Sequence, residues 1–402
     1  MTLRDEANAG RAWTTLVLLS ALFFIITAAT FASLGLALPV MVPELGWSWT
    51  EAGLGFALLG VFCGITSTIP ASLIRRLGVR ATLLAGAGVM ALAFFCLSRT
   101  DGLPLYFAGC SLAGLGFTLL ATVPGTYLLA RLFARPSFAF GLYFTIGGLG
   151  GVAGPFLYLL VMETAGHWRS YWTVSGILVV LCALAAAFLV DARTDVAARA
   201  ESDPDISSQD WNLRAAMQTR QFWIIAAAYT AFLFCGITAN SVSVAHLTQQ
   251  GVTAMVAGSM MALEAVLNAV ARLAGGILTR FVSARILLAV ALGFLIVGLL
   301  ALGAGRTVPM MLVYAVGIGI GYGLTFFAST ILLLDYFGRK ANLELFATVN
   351  LISTIGAVAP PLAGLARDHT GGFMPFFLAL SVLVALVLGA VIMMRPPSRT
   401  RA

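Results

Sequence analysis

The sequence predicts an all-α integral membrane protein of twelve transmembrane helices in two six-helix, pseudo-symmetric halves. Three observations predict it. The 402 residues are 60% hydrophobic and only 10% charged, whereas soluble domains carry about 25% charged residues. Charged and Pro/Gly-rich breaks divide the chain into twelve apolar stretches, each near the roughly 20 residues that cross a bilayer as helix. A polar tract separates the sixth from the seventh, and a short loop motif recurs on either side of it.

In order, the stretches cover 13–41, 51–74, 81–98, 104–130, 138–162, 171–190, 221–246, 252–278, 284–303, 309–334, 343–366 and 373–394. The first is too long for a cleaved signal, and Pro39, Pro43 and Gly46-Trp47-Ser48 predict a loop behind it. Small residues dominate the fifth (Gly141, Gly147, Gly148, Gly150, Gly151, Gly154) and the tenth (Gly317, Gly319, Gly321, Gly323). With no strand before them these are not phosphate loops; small-xxx-small spacing lets apolar helices approach closely.

The tract from Asp191 to Arg220 carries six acidic residues together with Pro204 and four arginines. It divides the chain into an N-terminal half at 1–190, a linker at 191–220 and a C-terminal half at 221–402. Leu73-x-Arg75-x-x-Gly78-x-Arg80 recurs as Leu278-x-Arg280-x-x-Ser283-x-Arg285, which internal duplication explains. Arg76, Gly78, Arg80, Arg280 and Arg285 are the expected gating-loop residues.

Lys and Arg concentrate in cytoplasmic loops. With the N-terminus inside, eighteen of the 23 basic residues fall on the cytoplasmic side and only Arg99, Arg169, Arg306 and Arg367 outside. Both termini are therefore expected in the cytoplasm, with the chain multi-pass in the inner (plasma) membrane. The net charge of +7 follows from this topology and from contact with lipid, and needs no nucleic-acid partner. Cys63, Cys96, Cys110, Cys182 and Cys235 lie in apolar stretches without metal-ligand spacing. With His167, His246 and His369 they form no catalytic, metal or cofactor constellation, so neither an enzyme nor a bound cofactor is expected.

Arg272 lies deep within the eighth stretch. An isolated charge at mid-membrane costs from ~2.5 to more than 10 kcal/mol and faces a bundle interior or a water-filled path. Glu264, Asn268 and Arg272 stand at i, i+4 and i+8, forming one polar stripe about 12 Å long. The stripe predicts an anion-binding group at Arg272; a structural role holding helices together, with Arg272 bound to Glu264 or to backbone carbonyls, is the competing possibility. Tyr127, Tyr143, Asn240 and Tyr322 are the expected neutral donors to a small carboxylate, with Ser241 beside them. Export of hydrophobic compounds driven by the one buried acid, and a transporter-like membrane sensor, are alternatives. Each chain holds a complete pathway on this reading, and is expected to act as a monomeric transport unit.

Ala71-x-Leu73-x-Arg75-Arg76-x-Gly78-x-Arg80 resembles the loop signature of the major facilitator superfamily, with Ala for Gly and Arg75 for the acidic residue. Gly46-Trp47-Ser48-Trp49, His167-Trp168-Arg169 (with His for Gly), Leu334-Asp335-Tyr336-Phe337-Gly338-Arg339-Lys340 and Pro361-x-x-Gly364-x-x-x-Asp368-x-x-Gly371 are similar to motifs of the monocarboxylate transporters and the oxalate/formate antiporter group. The resemblance implies a major facilitator fold and a monocarboxylate moved with a proton. It further implies that Arg272 holds the carboxylate. Asn268 replaces the acidic residue that many members use in proton coupling, and Glu264, one turn away, is the expected proton carrier. Burial favours a neutral Glu264 and the nearby Arg272 favours its carboxylate, so a substrate carboxylate on Arg272 would favour proton uptake by Glu264.

Overall fold

A computed structural model describes residues 3–133, 136–190, 211–279, 281–338 and 342–397. They form helices α1 (Leu3–Ala29), α2 (Phe31–Leu45), α3 (Trp49–Ile65), α4 (Ile69–Ser98), α5 (Leu103–Phe117), α6 (Val123–Leu132), α7 (Pro136–Gly148), α8 (Gly150–Ala165) and α9 (Trp168–Leu189). After the linker follow α10 (Leu213–Met217), α11 (Arg220–Gln249), α12 (Ala254–Leu278), α13 (Ala284–Gly303), α14 (Val308–Phe337), α15 (Asn342–Ser353), α16 (Ala359–Thr370) and α17 (Met374–Met393). A π-helical turn, Thr118–Thr122, joins α5 to α6, and a 3-10 turn, Thr354–Val358, joins α15 to α16.

Eleven spans among the described residues are long and apolar enough to cross a membrane, and the shorter Trp49–Ile65 stands where the second expected stretch lies. The chain divides into two compact units, Met1–Ala198 and Arg199–Ala402. Most of the predicted linker, 191–210, lies outside the described residues.

Two local expectations change, and a repeated motif proves to have unlike backbones. The loop expected at Pro39 and Pro43 is helical: α2 runs through both prolines to Leu45, and Gly46, with φ 67, closes it in the left-handed region that favours glycine. Prolines are tolerated inside membrane helices because neighbouring groups satisfy the freed backbone. The second stretch is not one helix, because α3 stops at Ile65 and Thr66 caps it through the carbonyl of Phe62. The repeated loop motif, lastly, takes two conformations. Gly78 breaks α4 at φ 84, whereas its counterpart Ser283 precedes α13 at φ −62.

Two of the motifs meet at one end of the first unit. Ser48 and Glu51 form a reciprocal capping box at the start of α3. Beside it the Glu44 carboxylate accepts from the Trp168 indole at 2.7 Å and from Arg169 at 2.8 Å. The second Arg169 nitrogen donates to Asp101 and to the Thr100 carbonyl, each at 3.0 Å. One guanidinium thus ties together three connections, which is a structural role for the Trp-Arg pair.

Gly150 and Gly154 on α8 and the four glycines of α14 pack helix on helix. A Cβ on Gly154 would come within 2.7 Å of the Ala28 carbonyl. On α14 the glycines alternate between two neighbours: Gly317 and Gly321 abut α13 at Gly298 and Leu295, and Gly319 and Gly323 abut α12 at Glu264 and Asn268. Gly323→Ala should therefore drive a methyl into the Asn268 carbonyl and destabilise the second unit by about 1–3 kcal/mol, the usual range for overpacking. Gly293→Ala meets nothing within 4 Å and should leave the thermal midpoint in detergent unchanged. Equal midpoints for the two variants would remove the packing argument.

Candidate functional site

The second unit builds its site on α12. Thr253 caps this helix by accepting from the Val256 amide, and the helical repeat then puts Glu264, Asn268 and Arg272 on one side. With no side chains at Gly319 and Gly323, α14 comes into backbone contact at Glu264 and Asn268. Tyr314 and Tyr322 on α14 repeat the eight-residue spacing of Glu264 and Arg272, so each tyrosine meets one of the two charged groups.

At one end of the stripe, Tyr314 donates a 2.9 Å hydrogen bond to Glu264 Oε2. The acid is 6% exposed and the tyrosine fully buried. At the other end, Arg272 Nε donates to Asn268 Oδ1 at 2.9 Å. The guanidinium carbon stands 4.5 Å from the centre of the Phe326 ring and 5.9 Å from that of Tyr322, within the reach of cation–π attraction. Arg272 forms no ion pair among the described residues. Glu264 turns to Tyr314 instead, so the competing structural pair between the two is not formed.

Around the arginine lies a cluster of rings. Tyr322 packs against Gly236 of α11, where a Cβ would collide with the ring, and its centroid is 4.7 Å from that of Phe232. Tyr229 is 4.6 Å from Phe232 and 5.9 Å from Phe346, centroid to centroid. The Tyr229 hydroxyl donates to Asn350 Oδ1 at 3.0 Å, and Asn350 in turn donates to the Phe346 carbonyl at 2.9 Å. Tyr229, Phe326 and Tyr314 were missed in the sequence because aromatic residues in apolar helices are ordinarily packing. The eight-residue spacing of Tyr314 from Tyr322 was a usable signal.

The other expected residues fall in several places. Asn240 is one turn from Gly236 and spends one amide donor on its carbonyl at 2.9 Å. Ser241 likewise bonds the carbonyl of Thr238. In the first unit, Tyr127 is half-buried on α6. Tyr143 is fully buried, with its ring against Phe23 and its hydroxyl donated to the Ala121 carbonyl in the π-helical turn. Packing and that bond thus engage both the ring and the hydroxyl of Tyr143 in this conformation.

Of the expected gating residues, Gly78 makes the break in α4, Arg76 is exposed, and the Arg80 guanidinium carbon lies 4.4 Å over the Phe188 ring. Arg285 donates to the Met394 carbonyl, joining α13 to the chain after α17. Arg280 lies outside the described residues.

Comparison with known proteins places the chain further. The model of the family described as Major Facilitator Superfamily matches residues 18–303. The chain is 27% identical over 385 residues to Monocarboxylate transporter 11 of Homo sapiens, covering 90% of this chain and 80% of that protein. It is 22% identical over 209 residues to the Uncharacterized MFS-type transporter YhjX of Escherichia coli (strain K12), covering 49% of this chain and 50% of that one. The Tetracycline resistance protein, class D, of Salmonella ordonez is 26% identical over 191 residues, 44% of this chain and 48% of that protein. The matches thus span about half the length of the latter two. Among solved structures, the nucleoside transporter NupG superposes with a TM-score of 0.72 at 12% identity, over 95% of this chain and 99% of that one; at that identity the likeness is one of fold.

Proposed function

The chain belongs to the major facilitator superfamily, and we propose that it is a secondary transporter carrying a small monocarboxylate together with a proton by alternating access. Arg272 is the anion-binding group and Glu264 the proton group. Arg272 carries this conclusion. It is a guanidinium in a membrane-spanning helix with no ion-pair partner among the described residues, and a charge in that setting calls for a counter-ion. Asn268 engages Nε only. The terminal nitrogens remain as the planar fork that suits a carboxylate.

One embedded cation favours a single carboxylate over two. The likeness to Monocarboxylate transporter 11 over most of both chains supports the same substrate class. The rings of Phe326 and Tyr322 supply the apolar wall that a small organic anion needs beside its charged end.

The test is uptake into proteoliposomes of labelled lactate, pyruvate, acetate, oxalate and aromatic acids, with and without an inward proton gradient. Gradient-stimulated uptake of a monocarboxylate, with oxalate excluded, is expected. A protein that exchanges none of the monocarboxylates overturns the proposal.

Export of a hydrophobic compound is a second reading, favoured by the ring cluster and by the partial likeness to the tetracycline resistance protein. In that case simple carboxylates would not compete with the exported compound.

A further inference from the structure

We propose that the second unit carries an anionic phospholipid site on its membrane-facing side, where α11 and α17 meet. The acyl chain lies in an apolar cleft between the helices, and the phosphate is held at Arg220 and Arg395.

The cleft has a volume of about 300 Å³ and is lined by Trp223, Ile224 and Ala227 of α11 and by Leu386, Val387 and Ala390 of α17. On each helix these are positions i, i+1 and i+4, the pattern of one face. The alanines leave the space, and Trp223 and Leu386, 50% and 70% exposed, form its rims. Both helices are membrane spans, so the medium outside the cleft is hydrocarbon. An unfilled apolar cleft there forfeits dispersion contacts that an alkyl chain restores.

The cleft is held in shape and ends in positive charge. The Trp223 indole donates to the Met217 carbonyl at 2.9 Å, which fixes the ring across the start of α11. Gln221 donates to the Arg395 carbonyl at 2.9 Å, bringing the first turn of α11 to the residues that follow α17. Arg220 and Arg395 therefore stand at the same end of the cleft. Both are exposed, and neither forms an ion pair among the described residues. An indole and arginines at the end of an apolar span mark the headgroup level. With no carboxylate paired to these arginines, the end of the cleft favours a lipid of net negative charge over a zwitterionic one.

Native mass spectrometry of the full chain, released from detergent in an equimolar mixture of phosphatidylglycerol and phosphatidylcholine, tests the proposal. Wild type should retain phosphatidylglycerol in preference. Arg220→Gln and Arg395→Gln should each weaken that retention about fivefold, the factor corresponding to roughly 1 kcal/mol per basic residue at an anionic surface. Ala390→Phe, which fills the cleft and leaves both arginines, should lower retention of phosphatidylglycerol as well. The arginine variants alter exposed side chains, so their unfolding temperatures should match wild type. Equal retention of the two lipids by wild type, or undiminished phosphatidylglycerol on the doubly substituted Arg220→Gln, Arg395→Gln protein, overturns it.

Discussion

Arg272→Ala is expected to abolish carboxylate uptake while leaving the fold intact. Truncating one partner of a buried, hydrogen-bonded charge pair costs about 3–5 kcal/mol, which corresponds to roughly two to nearly four powers of ten in affinity. The empty protein should not suffer equally. Among the described residues the Arg272 side chain makes one hydrogen bond, to Asn268, and stacks over Phe326. Removing a half-buried charge with no ion-pair partner among the described residues relieves a desolvation penalty that offsets those contacts. The thermal midpoint without substrate should stay near that of wild type, and the stabilisation that substrate confers on wild type should vanish. Arg272→Lys separates charge from shape: it keeps the cation but loses the fork and the bond to Asn268, so weak uptake with raised KM is expected. Wild-type uptake of a carboxylate by the alanine variant would remove Arg272 from the site.

Glu264→Gln is expected to uncouple transport without stopping exchange. The carboxamide oxygen of glutamine can still accept from Tyr314, so the 2.9 Å bond between α12 and α14 has a replacement and the protein should fold. The carboxamide cannot take up a proton. One proton moved with each monocarboxylate supports about tenfold accumulation per pH unit of gradient, since a proton gradient of one unit is worth about 1.4 kcal/mol. In the variant, accumulation should fall to equilibration under any gradient, while counterflow of labelled against unlabelled substrate persists. Accumulation equal to wild type in the variant would exclude Glu264 as the proton group. Loss of both accumulation and counterflow would instead mark it as a binding residue.

Much of this site was legible before the fold was known, because a stripe on one helix is a local property. Glu264, Asn268 and Arg272 need only the helical repeat to share a face, and the rarity of charge in an apolar stretch to draw notice. Tyr314 and Tyr322 are also on one helix, but which of them meets the acid depends on the register of α14 on α12. That register is set by Gly319 and Gly323 against the Glu264 and Asn268 backbones. Tyr229, Phe346 and Asn350 come from two other helices and join only through tertiary packing. Prolines misled for a related reason: Pro39 and Pro43 read as a loop by the rules of water-exposed helices, and a membrane segment carries both inside α2. Gly78 and Ser283 occupy matching positions in a repeated motif yet differ in the sign of φ, so sequence repetition here did not extend to backbone conformation.

The contact of Gly319 and Gly323 with α12 has a mechanical consequence. Between most helices a layer of side chains can change rotamer and absorb a small displacement, acting as a compliant gasket. Here Gly319 and Gly323 bring the α14 backbone against the Glu264 and Asn268 backbones, with only the Cβ atoms of Leu267 and Ala271 beside them, so that layer is thin. Over this stretch α12 and α14 are expected to move as one stiff bar, with the acid near one end and the guanidinium near the other. On that expectation a push delivered to either helix reaches both groups in the same stroke.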